Sequence, residues 1–115
     1  MPMLPIEIAG VCHEANRALC KAMGDMSQVP WDEAPAWQRQ SVMMGVGDIL
    51  AGRVRGPASS HEAWLKAMEA DGWKYGPVKN AEKKEHPEMV HYAALPQENK
   101  RKDLLFFEIV QALRW

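Results

Sequence analysis

Apolar residues at Ile8, Cys12, Ala15, Leu19 and Met23 recur at steps of four, three, four and four, the spacing of one helical stripe. The pattern predicts a first helix from about Pro5 to Met23, stopped by Gly24 with Asp25, where glycine takes the left-handed conformation. A turn-rich connection through Ser27, Pro30 and Trp31 follows. A second helix is expected to open near Asp32 to Pro35, because orphan amides in a first turn tolerate acids and proline. It turns Val42, Val46, Ile49 and Leu50 inward and stops by Gly52. Gly45 and Gly47 each cost such a helix about 1 kcal/mol against alanine. A close approach by another backbone or a ligand, or a kink, would account for them. After a linker over 52–58, Ser59-Ser60-His61-Glu62 fits a capping box. The third helix then buries Trp64, Leu65 and Met68 and ends at Gly72. Trp73-Lys74-Tyr75 alternates like a strand, and Lys79 to Glu85 reads as a hairpin-like loop. Pro87 keeps His86 extended, and Met89 to Tyr92 reads as a second short strand. Pro96 opens the last helix, with Leu105, Ile109 and Leu113 as its stripe and Phe106 and Val110 beside it. The expected fold is mainly α with a small β element: about four helices, and a short hairpin-like extended segment before the last. One internal echo stands out. His13-Glu14-Ala15 leads to Lys21-Ala22-Met23, and His61-Glu62-Ala63 leads to Lys66-Ala67-Met68 at a different gap, by chance or by duplication.

Composition narrows the partners. A chain of 115 residues fits one domain, and 47% hydrophobic with 25% charged residues is an ordinary globular balance. A net charge of −1 leaves little surplus for neutralising phosphates, so a nucleic-acid polymer is not expected as partner. The two basic clusters, Lys79 with Lys83 and Lys84, and Lys100-Arg101-Lys102, read as solvated surface. Met1-Pro2-Met3-Leu4-Pro5 lacks the basic and apolar regions of a signal peptide, and no segment has the apolar length of a membrane span. Cys12 and Cys20 share one predicted helix, about two turns apart, too far for a disulfide. Two reduced, buried thiols suit a cytoplasmic setting. Trp115 reads as exposed or at an oligomer contact, which leaves a homo-oligomer open.

Neither His13-Glu14 nor His61-Glu62 completes an H-E-x-x-H zinc motif, since Arg17 and Leu65 stand where the second histidine is needed. No phosphate loop or nucleophile turn is present. These patterns point to no metal, no cofactor and no catalytic residue. Binding is better supported. Trp64 follows His61 by one turn, so the two share a helical face, and an indole can stack a nucleobase for about 1–3 kcal/mol. His13, Asn16 and Arg17 share a face of the first helix, placed beside the stripe, and form a candidate clasp for phosphates or ribose hydroxyls. Trp37 and Tyr75 complete the candidate ligand-binding set. For each residue a packing role is the competing reading, most strongly for Trp37 and Trp73.

The run His61-Glu62-x-Trp64, Asp71-Gly72-Trp73-Lys74-Tyr75-Gly76-Pro77-Val78, Lys84-x-His86-Pro87-x-Met89-Val90, Leu95-Pro96 and Asp103 resembles the RyR domain, the repeat of ryanodine receptors. It covers residues 59–114. Residues 5–52, with Cys12-His13-Glu14-x-Asn16-Arg17 and Trp31-x-x-Ala34-Pro35-x-Trp37-Gln38-Arg39-x-Ser41, are similar to the extension of short bacterial and phage members. Those members carry a histidine near the end of the second helix, where this chain has Ile49. The resemblance implies a single RyR-type domain over 1–115, in the cytoplasm of a bacterial host, that binds and does not catalyse. It further implies a nucleotide-derived ligand, cyclic or of ADP-ribose type, sequestered in phage–host conflict. A protein–protein interaction module without a small ligand is the alternative.

Overall fold

A computed structural model describes residues 2–114. Met1 and Trp115 lie outside the described residues, and with them the readings placed on these two termini. The architecture is mainly α with a small β element. Helix α1 spans Pro5–Ala22, α2 Ala36–Leu50, α3 Pro57–Ala70 and α4 Gln97–Leu113. A 3₁₀ turn, Trp31–Glu33, precedes α2, and a second, Tyr92–Ala94, precedes α4. Among the described residues, no helix is long and apolar enough to cross a membrane.

Helix α1 lies against both α2 and α4, while α3 packs chiefly on α4. Their shared core holds Ile8, Ala9, Cys12, Val46, Ile49, Val54, Phe107 and Val110. Burying such aliphatic side chains contributes about 1.5–3 kcal/mol each. A second cluster joins Leu65, Met68, Trp73 and Met89, with Trp37 and Trp64 at its edge. The buried face of α4 is centred on Phe107 and Val110, one position round from the expected stripe, whose Leu105, Ile109 and Leu113 are only half-buried. Gly45 accommodates Phe106 beside this face. A Cβ there would stand 2.9 Å from the Phe106 ring, so this glycine lets α4 seat an aromatic ring against α2. Around Gly47 there is open space, so no close approach explains that glycine.

Three elements differ from the sequence expectation. The predicted capping box is absent: α3 starts at Pro57, where proline's fixed φ suits a first turn, and Glu62 is drawn into a tertiary contact instead. Lys79 to Glu85 does close as a hairpin-like loop, with Asn80 and Glu85 bridged antiparallel, but the strands on either side are not paired as a hairpin. Strand β1, Lys74–Tyr75, pairs in parallel with β2, Glu85–His86, and the region of Met89 to Tyr92 is not a strand. Gly76 allows this approach, because a Cβ there would lie 2.6 Å from that of Glu85.

The two halves follow one plan. His13 donates from Nε2 to the Val29 carbonyl at 2.6 Å, and His61 donates from Nε2 to the Val90 carbonyl at 2.7 Å. The Glu14 carboxylate accepts the Trp31 amide at 2.8 Å, and Glu62 accepts that of Tyr92 at 2.7 Å. Arg39 lies over Trp31 as Lys100 lies over Tyr92, with centroid distances of 5.3 and 5.0 Å. Gly24 and Gly72 end α1 and α3 with the same φ of +89°. By this correspondence Gly45 matches Phe106, and the two touch. Contact between equivalent positions is what a two-fold relation produces. The connection from Gly72 to Val90 is longer than that from Gly24 to Val29 by thirteen residues, and the extra chain carries β1 and β2.

Candidate functional site

Between the halves lies an open cavity of about 460 Å³. Four helices and the extra chain of the second half contribute to its wall. Pockets of about 300–1,000 Å³ are the usual size for small-molecule sites. Of the candidate residues, His61, Trp64, His13, Asn16 and Trp37 line this cavity. Arg17 and Tyr75 do not. Arg17 is held at the surface by Glu14 at 3.0 Å, one turn away on the same helix, and Tyr75 points outward from β1, 56% exposed.

His13 does not lie beside the apolar stripe as expected; it is buried within it. Its bond to the Val29 carbonyl places a proton on Nε2 and leaves Nδ1 with no partner among the described residues. The indole of Trp31 lies 5.5 Å away, centroid to centroid. Ile49 is buried in the core, away from any ligand role.

His61 is also buried, and it is charged differently. Its Nε2–H is committed to Val90, so the contact of Nδ1 with Asp103 at 3.4 Å is favourable only with a proton between them. Burial opposes the charged ring, but Asp103 and the Val90 carbonyl outweigh it and hold the imidazole pKa above its ordinary value. Burial pushes the Asp103 carboxyl up as well. The two groups thus hold one proton in common.

Trp64 is half-buried, packed against His61 at 5.4 Å and edge-on to His86 at 5.2 Å. Trp37 meets Trp73 at 5.0 Å. Trp73 is core, as the packing reading had it, with its indole N–H donated to Asp71. Trp37 and Trp64 instead present indole surface to the cavity.

The remaining wall was missed in the sequence. Lys102 is not solvated surface but half-buried, donating to Glu88 at 2.8 Å, where Asn99 also donates at 2.7 Å. Burial opposes Glu88's charge, yet Lys102 and Asn99 prevail and hold its pKa low. Lys79, also read as solvated, lies 5.8 Å from the centre of the Trp37 ring, and burial lowers its pKa. His86 accepts the Glu88 amide on Nδ1 at 3.0 Å, which places its proton on Nε2. Burial, together with the charges of Lys79 and Lys102, brings its pKa down to about 4, so the ring is neutral at pH 7. The one usable signal was His86-Pro87 beside an acid, inside the matching motif. Among the described residues no three metal-ligating side chains converge, and burial pushes the Cys12 thiol up to about 12, where it is unreactive.

A family model for the RyR domain matches residues 56–113, half of the chain. The chain belongs to the RyR domain family. The matched segment supplies α3, the extra chain and α4, and therefore His61, Trp64, His86, Glu88 and Asp103 of the wall. Helices α1 and α2 of this RyR protein precede the match and supply Asn16, His13 and Trp37.

Proposed function

We propose that this RyR-domain protein binds a nucleotide-derived small molecule in the cavity between its halves and releases it unchanged. The observation that carries the reading is that two half-buried tryptophans, Trp37 and Trp64, line one open cavity together with polar side chains. A planar base has a stacking partner there. The amides of Asn16, Gln28 and Gln38 and the Nδ1 of His13 offer donors and acceptors for its edge or its sugar. One stack and two charge-assisted bonds reach the scale of about 8 kcal/mol that micromolar binding requires. The proton shared by His61 and Asp103 is held by that pair and by the Val90 carbonyl, and burial raises the thiols of Cys12 and Cys20, so none of these groups is poised as an activated nucleophile. Sequestration of such a signal in phage–host conflict belongs to the same proposal and rests on the resemblance of residues 5–52 to short bacterial and phage members.

Thermal melting against a nucleotide panel tests this. A ligand at 100 times its dissociation constant adds about 2.7 kcal/mol, a shift of several degrees in a domain of this size. Trp64→Leu, which keeps most of the packed volume and removes the indole, is expected to lose most of the shift. Recovered ligand should be chemically intact. A panel without any shift moves the balance to a protein partner, and a converted ligand contradicts the non-enzymatic reading.

A further inference from the structure

The charges around the cavity nearly cancel, and what is left over defines one end of it. Each cavity carboxylate has a cation. Asp48 takes Arg53 at 2.8 Å, Asp71 takes Lys84 at 3.5 Å, Glu88 takes Lys102 at 2.8 Å and Asp103 takes His61 at 3.4 Å. Lys79 is different. It lines the cavity and has no hydrogen-bond or ion-pair partner among the described residues; Asp25 and Glu88 act on it only through space. His86 lines the same cavity, edge-on to Trp64, and its Nε2–H, fixed by the Glu88 amide on Nδ1, has no acceptor among the described residues. An unpaired ammonium beside the Trp37 ring and a fixed N–H beside the Trp64 ring thus both line the cavity, each carried by the extra chain of the second half.

We propose that Lys79 and the Nε2–H of His86 form the anion-binding end of the cavity, and that it takes a single phosphate or carboxylate carried on the ring-bearing ligand. The inference rests on the proposed function and narrows it from nucleotide-derived molecules in general to singly phosphorylated ones. A second or third phosphate would meet Asp48, Asp71, Glu88 and Asp103 without a further free cation to balance it. A pyrophosphate of ADP-ribose type is therefore disfavoured against a nucleoside monophosphate or a cyclic monophosphate.

Calorimetric titration at low ionic strength, where charge contacts are least screened, separates the cases. The probes are the common nucleosides, their 5′-mono-, di- and triphosphates, and inorganic phosphate. A monophosphate should bind about tenfold or more tighter than its nucleoside, and the di- and triphosphates no tighter than the monophosphate. Lys79→Met should lose the preference for monophosphate over nucleoside; Lys79→Arg should keep it. Stepwise tightening with each phosphate, or a preference that survives in Lys79→Met, overturns the proposal while leaving nucleotide binding intact. Inorganic phosphate at matched ionic strength should raise the melting midpoint of the native protein more than that of Lys79→Met. Equal midpoint shifts count against the anion-binding end even if no nucleoside binds, an outcome that would by itself remove the proposed function.

Discussion

In the first half, the ring nitrogen that His13 leaves free meets no acid; in the second, the equivalent nitrogen of His61 meets Asp103 at 3.4 Å. The correspondence that matches Trp31 to Tyr92 places Val42 of α2 where α4 has Asp103. Both halves use a buried imidazole to clamp a helix to the loop before the next helix. Only the second lays a titratable network beneath the clamp and adds a chain segment that brings Lys79, His86 and Glu88 over it. The scaffold is therefore repeated, while the polar chemistry of the cavity is concentrated on one side. The first half supplies an indole, amides and a free ring nitrogen.

The clamps offer the largest contrast. His61→Ala would leave Asp103 charged in a buried setting without its partner, a loss of about 3–5 kcal/mol. His13→Ala removes a buried hydrogen bond and strands a carbonyl, about 1–3 kcal/mol. Denaturant unfolding of the two variants measures the difference. Equal losses would mean that Asp103 contributes nothing to the second clamp.

The second half holds two histidines with shifts of opposite sign. The folded pKa of His86 is depressed to about 4, below the unfolded value near 6.5. Between those values the unfolded chain binds the extra proton, so stability falls as pH drops through this window, by on the order of 3 kcal/mol in all. His61 works in the opposite direction. Its folded pKa is raised, so its contribution is complete below the unfolded value and fades as pH rises through the folded one. Melting followed from pH 7 to pH 4 should show a weaker acid dependence in His86→Gln than in the native protein. An unchanged acid limb in His86→Gln breaks the assignment.

Smaller effects distinguish the two helical glycines. Gly45→Ala places a methyl against Phe106 and should cost about 1–3 kcal/mol despite alanine's better helix propensity. Gly47→Ala meets open space and should stabilise by up to about 1 kcal/mol. Thermal melts that rank the two alike would contradict the seating of Phe106 on α2.

How much of this was legible follows from the range of each interaction. The helices were, because a period of 3.6 repeats over several turns, and Gly24, Gly52 and Gly72 adopt positive φ where the stops were expected. Strands of two residues carry no period, so β1 and β2 could not announce parallel pairing. Ser59 with Glu62 satisfied a local rule, but Pro57 sets the start of α3 and Tyr92 takes the carboxylate. Four of the five candidate residues that line the cavity lie on the faces of α1 and α3 that bear His13 and His61; Trp37 comes from α2. Lys79 and Lys102 were misread since lysines near acids look solvated in sequence. Their burial comes from Trp37 and Glu88, which fall on other elements. The echo of His13-Glu14 in His61-Glu62 became decisive only when Val29 and Val90, unremarkable in sequence, proved to be their matching partners.

Nuclear magnetic resonance of the indole N–H groups tests the central claim most directly. On titration with a nucleoside monophosphate, the signals of Trp37 and Trp64 should move, while those of Trp31 and of Trp73, whose N–H is held by Asp71, should stay nearly fixed. Saturable shifts confined to Trp31, or no shift in Trp37 and Trp64 with any nucleotide, would contradict a ligand site between the two halves.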